Sequence, residues 1–197
     1  MPLGLSEFPP GFEESCGLYV AHDSSWGLHP RPMGGYVVMY NNGAVDWSAK
    51  TLKIVPGSST EAESAVASQA VKAASFAREL AIQNGRRIVG PTAALGDNQA
   101  LYILIQQEGA SARTRYYERA TLLIKRAVLL LLFRPYLVKT TDMIADIFTK
   151  ATEKGAFFKF RNVVMNCTSG LREALQMAAD SVHGEARLLV DRLLVRV

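Results

Sequence analysis

"PGSSTEAESAVASQA", Pro56 to Ala70, is where the chain changes period. Ahead of it, short runs rich in β-branched and aromatic residues end in turn signals, the mark of strands. Beyond it, Val66, Ala70, Ala73, Ala77 and Leu80 recur at helical spacing, and Asn84-Gly85 supplies a helix stop. A strand meander therefore hands over to a helical crossover. That handover places the chain in the α/β class.

Working back from it, "AVDWSAKTLKIV" (Ala44–Val55) reads as a third strand closed by Pro56-Gly57. "NNG" (Asn41–Gly43) is a hairpin signal joining it to "YVVMY" (Tyr36–Tyr40). "GLYVAHD" is a first strand ending at Asp23, followed by "SSWGLHPRPMGG" as a long turn. Working forward, "TAAL" (Thr92–Leu95) is a short strand running out at Asp97, and "NQALYILIQQ" is helical. "SARTRYYERATLLIKRA" (Ser111–Ala127) is a further amphipathic helix. "VLLLLFRPYLV" (Val128–Val138) reads as a buried strand by its length and Pro135, with a helix end as the alternative. Thr140 or Thr141 caps a last helix containing "DMIADIFTK". The order β-β-β-α-β-α-α-β-α predicts a mixed sheet, its hairpin meander extended by two strands through helical crossovers.

The chain has 197 residues, 49% of them hydrophobic and 20% charged, which suits one domain with a real core. Residues 1–14 read as a linker or frayed arm, 15–166 as the domain, and 167–197 as a helical tail apart from any site. The formal net charge of +4 permits a polyanionic partner without requiring one. Cys16 and Cys167 form no C-x-x-C pair, so neither a disulfide framework nor a zinc site is expected. The run Ala127–Phe133 is far short of the ~20 apolar residues of a membrane helix, and no secretory signal is read at the start. The expectation is a soluble intracellular protein, cytoplasmic or nuclear.

Helical geometry separates the two glutamates of the opening stretch. Glu63 is three and seven residues ahead of Val66 and Ala70, so it lies on the sheet-facing side. Glu61 lies about 200° away by the ~3.6-residue turn, alongside Ala65, Ser68 and Lys72 on the wetter face. Glu61 has an ordinary role available, a capping box with Ser58, and Glu63 could cap with Thr60. A carboxylate aimed at a sheet is costly unless donors or a cation meet it. Asp23, Asp97 and Asp146 each have ordinary readings too: an Asx turn, a helix N-cap and an i,i+4 pair with Lys150. Together, however, two acids close strands that can be neighbours and two sit on helices packing over those strand ends. Four carboxylates gathered there would repel one another unless divalent cations neutralise them.

"GAVDWSAK", "SSTEAES", "GDNQAL" and "ADIFTK", in that order, resemble the ribonuclease H domain of copia-type LTR retrotransposon polyproteins. The resemblance runs from about Leu18 to Asn166. It implies a ribonuclease H-like five-stranded mixed sheet, three antiparallel strands then two parallel, flanked by helices. It also implies an acidic catalytic and metal-binding tetrad at Asp23, Glu63, Asp97 and Asp146, with two Mg2+ ions (or Mn2+) as cofactors. Asp23 would bridge both ions, Glu63 and Asp97 would support one, and Asp146 the other. The implied activity is hydrolysis of the RNA strand of an RNA–DNA hybrid, and the implied partners are that hybrid and the reverse transcriptase and integrase domains of the same polyprotein.

Two features depart from the family. Ser25 stands where it usually has a second acid two residues after the first, and the helix "ARTRYYERATLLIKR" lacks its histidines. His22 should face away from Asp23 across the strand, as a packing or surface histidine. Arg115, Arg119 and Arg126 share a helical face as a candidate phosphate track, with a solvated basic face as the alternative. Asn98 and Gln99 could reach a minor groove, with capping or solvation as the alternative. The chain carries no Y-x-D-D polymerase signature and no integrase or zinc-knuckle segment, so it is expected to be one piece of such an element. A catalytically inactive remnant that acts as a nucleic-acid-binding module is the competing reading. A transposase of the same fold class would require a D-D-E order, and the order here is D-E-D-D.

Overall fold

A computed structural model describes residues 17–27, 31–41, 43–88, 90–107 and 117–166. The expected arm at 1–14, the tail at 167–197 and Arg115 lie outside the described residues. Five strands, β1 (Leu18–Ser24), β2 (Met33–Tyr40), β3 (Gly43–Thr51), β4 (Thr92–Gly96) and β5 (Phe133–Leu137), form one sheet in the order β3-β2-β1-β4-β5. β1, β2 and β3 pair antiparallel, while β4 runs parallel to β1 and β5 parallel to β4. This is the five-stranded mixed sheet expected. "TAAL" pairs with the first strand through Tyr19↔Ala93, Val20↔Ala94 and Ala21↔Leu95.

Both faces of the sheet are covered. On one lie α1 (Ser59–Gln83), α2 (Gln99–Gln106) and α3 (Glu118–Leu129). Their side chains Ala67, Ala70, Val71, Leu101, Ile105 and Ile124 pack on Leu18, Val20, Val38 and Phe133. On the other face, Met143, Ile144, Ala145 and α4 (Lys154–Val164), through Phe160 and Val163, pack on Ala21, Val37, Met39 and Leu95. Val20 and Ala21 belong to opposite layers, as the two-residue period of a strand requires. Among the described residues no helix is long and apolar enough to cross a membrane.

Several expectations need correction. The segment "DMIADIFTK" is not a helix of its own but two 3-10 turns, Thr140–Asp142 and Ile144–Phe148, parted by an extended Met143. Four consecutive residues there, Met143 to Asp146, are buried. An α-helix against a flat layer cannot bury four in a row, since its apolar stripe takes about half of them; tight turns can. The second correction is the boundary after α3, which continues to Leu129 so that β5 starts only at Phe133. The helix ends with Leu131 at φ 54, and the N–H of Leu132 donates to the Ala127 carbonyl at 3.0 Å. That is a Schellman-type stop built on leucine where glycine is usual. Ser68, expected on the wetter face of α1, is instead buried and donates to the Ala65 carbonyl at 2.9 Å. A helix also stands at Lys154–Val164, beyond the last one expected before the tail.

Gly34 and Gly35, which pair with Ser24 and Asp23, let both layers press close on the sheet. A Cβ on Gly34 would stand 2.6 Å from Val66 Cγ2 of α1. A Cβ on Gly35 would stand 2.6 Å from Phe148 Cβ and 2.9 Å from Thr149 Cγ2, on the other face. Gly35→Ala should therefore lower stability by ~1–3 kcal/mol, as overpacking does. Gly155→Ala, whose Cβ would meet nothing within 4 Å, should be neutral or slightly stabilising. Urea unfolding of both variants measures the difference.

Candidate metal centre at the end of the first strand

β1 presents His22 and Ser24 to one face and Asp23 to the other, because successive side chains alternate. On the α1 face, the Ser24 N–H and its hydroxyl both donate to Glu63 Oε1, each at 2.8 Å. Glu63 is 3% exposed, and its second oxygen, Oε2, makes no hydrogen bond while lying 3.4 Å from His22 Nδ1. On the opposite face, Asp23, 1% exposed, accepts from the Thr149 hydroxyl through Oδ2 and from Lys150 Nζ through Oδ1 at 3.1 Å. Lys150 Nζ also donates to Asp146 Oδ1 at 3.0 Å. Asp97, half-buried just past β4, accepts from the Thr140 hydroxyl at 2.9 Å.

One carboxylate oxygen each from Asp23, Glu63 and Asp97 lie within 4.8 Å of one another. Asp146 is not a member of that trio; Lys150 ties it to Asp23 instead. Burial raises the Asp146 carboxyl to about 6; the Lys150 hydrogen bond pulls the other way, while the charges of Asp23 and Asp97 add to the rise. Lys150 is held above its ordinary value: burial opposes its charge, but Asp23 and Asp146 outweigh the burial. All the donors in the trio are carboxylate oxygens, the hard set that suits Mg2+ or Mn2+ rather than zinc. The buried oxygen of Glu63 without a hydrogen-bond donor fits a bound cation better than it fits a purely structural role.

Glu61 points elsewhere. The Ser58 hydroxyl oxygen accepts from the Glu61 N–H at 3.2 Å, and Glu61 Oε2 accepts from the Gly57 N–H at 2.8 Å. This is a capping box shifted back by one residue, and Glu63 takes no part in it. Asn98 Oδ1 accepts from the Leu101 N–H at 2.9 Å, so the N-cap of α2 is Asn98 and not Asp97. Gln99 is exposed, and so are Arg119 and Arg126, seven residues apart on α3. Ser25 is buried and closes the strand end, accepting from the Met33 N–H at 3.0 Å.

Sequence reasoning assigned Lys150 only the local pair with Asp146. That pair exists, carried on an α-type turn in which the Lys150 N–H donates to the Asp146 carbonyl at 2.9 Å. Its second partner, Asp23, stands 127 residues away and left no local signal. Thr149 and Lys150 do follow Asp146 within the quoted "ADIFTK", which is the trace that was available. His22 is buried as a packing residue, with Gly96 leaving room for it: a Cβ there would stand 2.9 Å from the ring's Cε1.

No protein-family model matches this chain, and no curated protein matches it. Among solved structures it is similar to ribonuclease H1 from the halophilic archaeon Halobacterium salinarum, at 16% identity and a TM-score of 0.49, covering 67% of this chain and 93% of that one. It is also similar to the N-terminal ribonuclease H domain of a Mycobacterium tuberculosis protein solved as a maltose-binding-protein fusion. There the identity is 12%, the TM-score 0.48 and the coverage 74% and 96%. A third is LC11 ribonuclease H1 in complex with an RNA/DNA hybrid, at 12% identity and a TM-score of 0.49, covering 67% and 93%. At these values none of the three bears on what the chain does.

Mg2+ or Mn2+ should raise the thermal midpoint by several degrees, since a ligand at about a hundred times its Kd adds ~2.7 kcal/mol. Glu63→Gln and Asp97→Asn should each lose most of that rise. Glu61→Gln should keep it and cost only a helix cap, ~1 kcal/mol. Thermal unfolding of the four proteins with and without metal checks the set.

Proposed function

We propose that this chain is a metal-dependent endonuclease that hydrolyses the RNA strand of RNA–DNA hybrids, a ribonuclease H of the copia-type retrotransposon kind. The observation that carries the reading is the three-carboxylate nest at the end of β1 and β4, with a buried Glu63 oxygen left without a donor. Such a nest at the carboxyl ends of adjacent parallel strands stands where open α/β sheets place their sites. Asp23, Glu63 and Asp97 would hold one divalent ion, and Asp146 with Asp23 would serve a second. When bound, such ions neutralise the scissile phosphate, activate the attacking water and stabilise the leaving 3′ oxygen.

The protein's own part is positioning and charge. Ser24 fixes Glu63 by two hydrogen bonds to one oxygen, while the other makes none and lies 3.4 Å from His22 Nδ1. Thr149 and Thr140 orient Asp23 and Asp97 by one hydroxyl hydrogen bond each. The exposed guanidinium groups of Arg119 and Arg126, with Arg115, would meet phosphates, and Gln99 with the Asn98 amide would meet the minor groove, where 2′-hydroxyls distinguish RNA. The reverse transcriptase and integrase of the same polyprotein are the partners that go with this reading.

A labelled RNA–DNA hybrid should be cut in its RNA strand with Mg2+ or Mn2+ and left whole in EDTA. Asp23→Asn should reduce the rate at least 100-fold without unfolding the protein, a loss of the size that follows removal of a principal electrostatic group. Hybrid binding without cleavage in the unaltered protein would instead establish the inactive binding module.

A further inference from the structure

Resting on the metal-site reading above, we propose that Lys150 is a built-in counter-ion that occupies the second cation position. The resting protein then takes one divalent ion, at Asp23, Glu63 and Asp97, and a second enters only when the ammonium leaves.

The geometry is specific. Lys150 Nζ lies 3.1 Å from Asp23 Oδ1 and 3.0 Å from Asp146 Oδ1, acids from two elements on one face of the sheet. It therefore stands between the two carboxylates that an ion on the Asp146 side would have to share. A Mg2+ ion bound to those same oxygens would lie ~2.0–2.1 Å from each. With the ammonium still in place, two cations would crowd the same oxygens with no anion between them. The other oxygen of Asp23 accepts from Thr149, so neither of its oxygens is without a donor. Each oxygen keeps a further lone pair, so Asp23 can still serve the three-acid nest on its other side. The absence of Asp146 from that nest fits the same division: three acids for an ion, the fourth for the lysine.

Charge balance points the same way. One divalent ion and one ammonium leave the four carboxylates with one negative charge, two divalent ions without the ammonium balance them, and two beside it leave one positive charge in excess. The lysine can also move. Its side chain is 27% exposed on a flexible four-carbon stem, whereas Asp23 is sealed at 2%. A substitution at Lys150 accordingly removes a charge from the rim of the site rather than a piece of the core.

The test counts ions. Mn2+ binding by the full chain is measured by calorimetry and by the free Mn2+ signal in electron paramagnetic resonance, for the unaltered protein, Lys150→Met and Lys150→Arg. The expected counts are one ion, two ions and one ion. Lys150→Met should also melt earlier than the unaltered protein in EDTA, where Asp23 and Asp146 face each other unpaired, and should recover in Mn2+. Circular dichroism verifies that each variant is folded, and Lys150→Arg carries the test on charge alone. Two ions in the unaltered protein, or one in folded Lys150→Met, overturns the inference and leaves the metal site standing. No ion in any of the three overturns the metal site and the inference with it.

Discussion

Two adjacent glycines in β2 set the distance between the layers at the place where the acids meet. Gly34 lets Val66 of α1 press onto one face of the sheet, and Gly35 lets Phe148 and Thr149 press onto the other. They pair with the last two residues of β1, so these close contacts fall beside Ser24 and Asp23. Glu63, three residues before Val66, and Asp146, two before Phe148, ride in on those approaches. Side chains at both positions would hold the layers apart, and carboxylates on short stems have little reach to spare. The alanine-rich inner face of α1, with Ala62, Ala67, Ala70 and Ala74 all buried, serves the same closeness.

That closeness creates an electrostatic problem, which the chain meets with donors and one cation. Asp23 and Glu63 are almost wholly out of water, where an uncompensated carboxylate is costly. Ser24, Thr149 and Lys150 answer three of their four oxygens. The fourth, Glu63 Oε2, makes no hydrogen bond and lies 3.4 Å from His22 Nδ1. A fold selected for stability alone would gain from answering it or from replacing Glu63 with an apolar residue. The arrangement makes sense if the missing partner comes from outside.

Much of this could be read from the sequence, and the reason is periodicity. Glu63 was separated from Glu61 by helical phase alone, and the two glutamates do face a strand end and a helix cap. The strand order followed from a hairpin signal and from the parallel crossovers that α1 and the α2–α3 pair permit. What stayed hidden was whatever has no period. Met143 to Asp146 are buried in sequence, so no helical or strand repeat describes them, and the capping threonines alone suggest a helix. The turn at Leu131 hid in a run of leucines because a residue held at positive φ without glycine leaves no mark. Lys150's link to Asp23 joins residues from opposite ends of the domain, which only packing reveals.

The segment carrying Asp146 is fastened by burial and not by a ladder of backbone bonds. Its two short turns supply few hydrogen bonds of their own, so Met143, Ile144 and Ala145, sunk in the core, do the fastening. Such a segment does not fray residue by residue; it opens as a unit when those side chains leave together. α1 and the sheet, each held by its own ladder, need not follow. An opening there would carry Asp146 and its lysine away from Asp23, Glu63 and Asp97, which stand on β1, on α1 and just past β4. Completeness of the site then depends on how the core seats Met143, Ile144 and Ala145, as well as on how the strands pair.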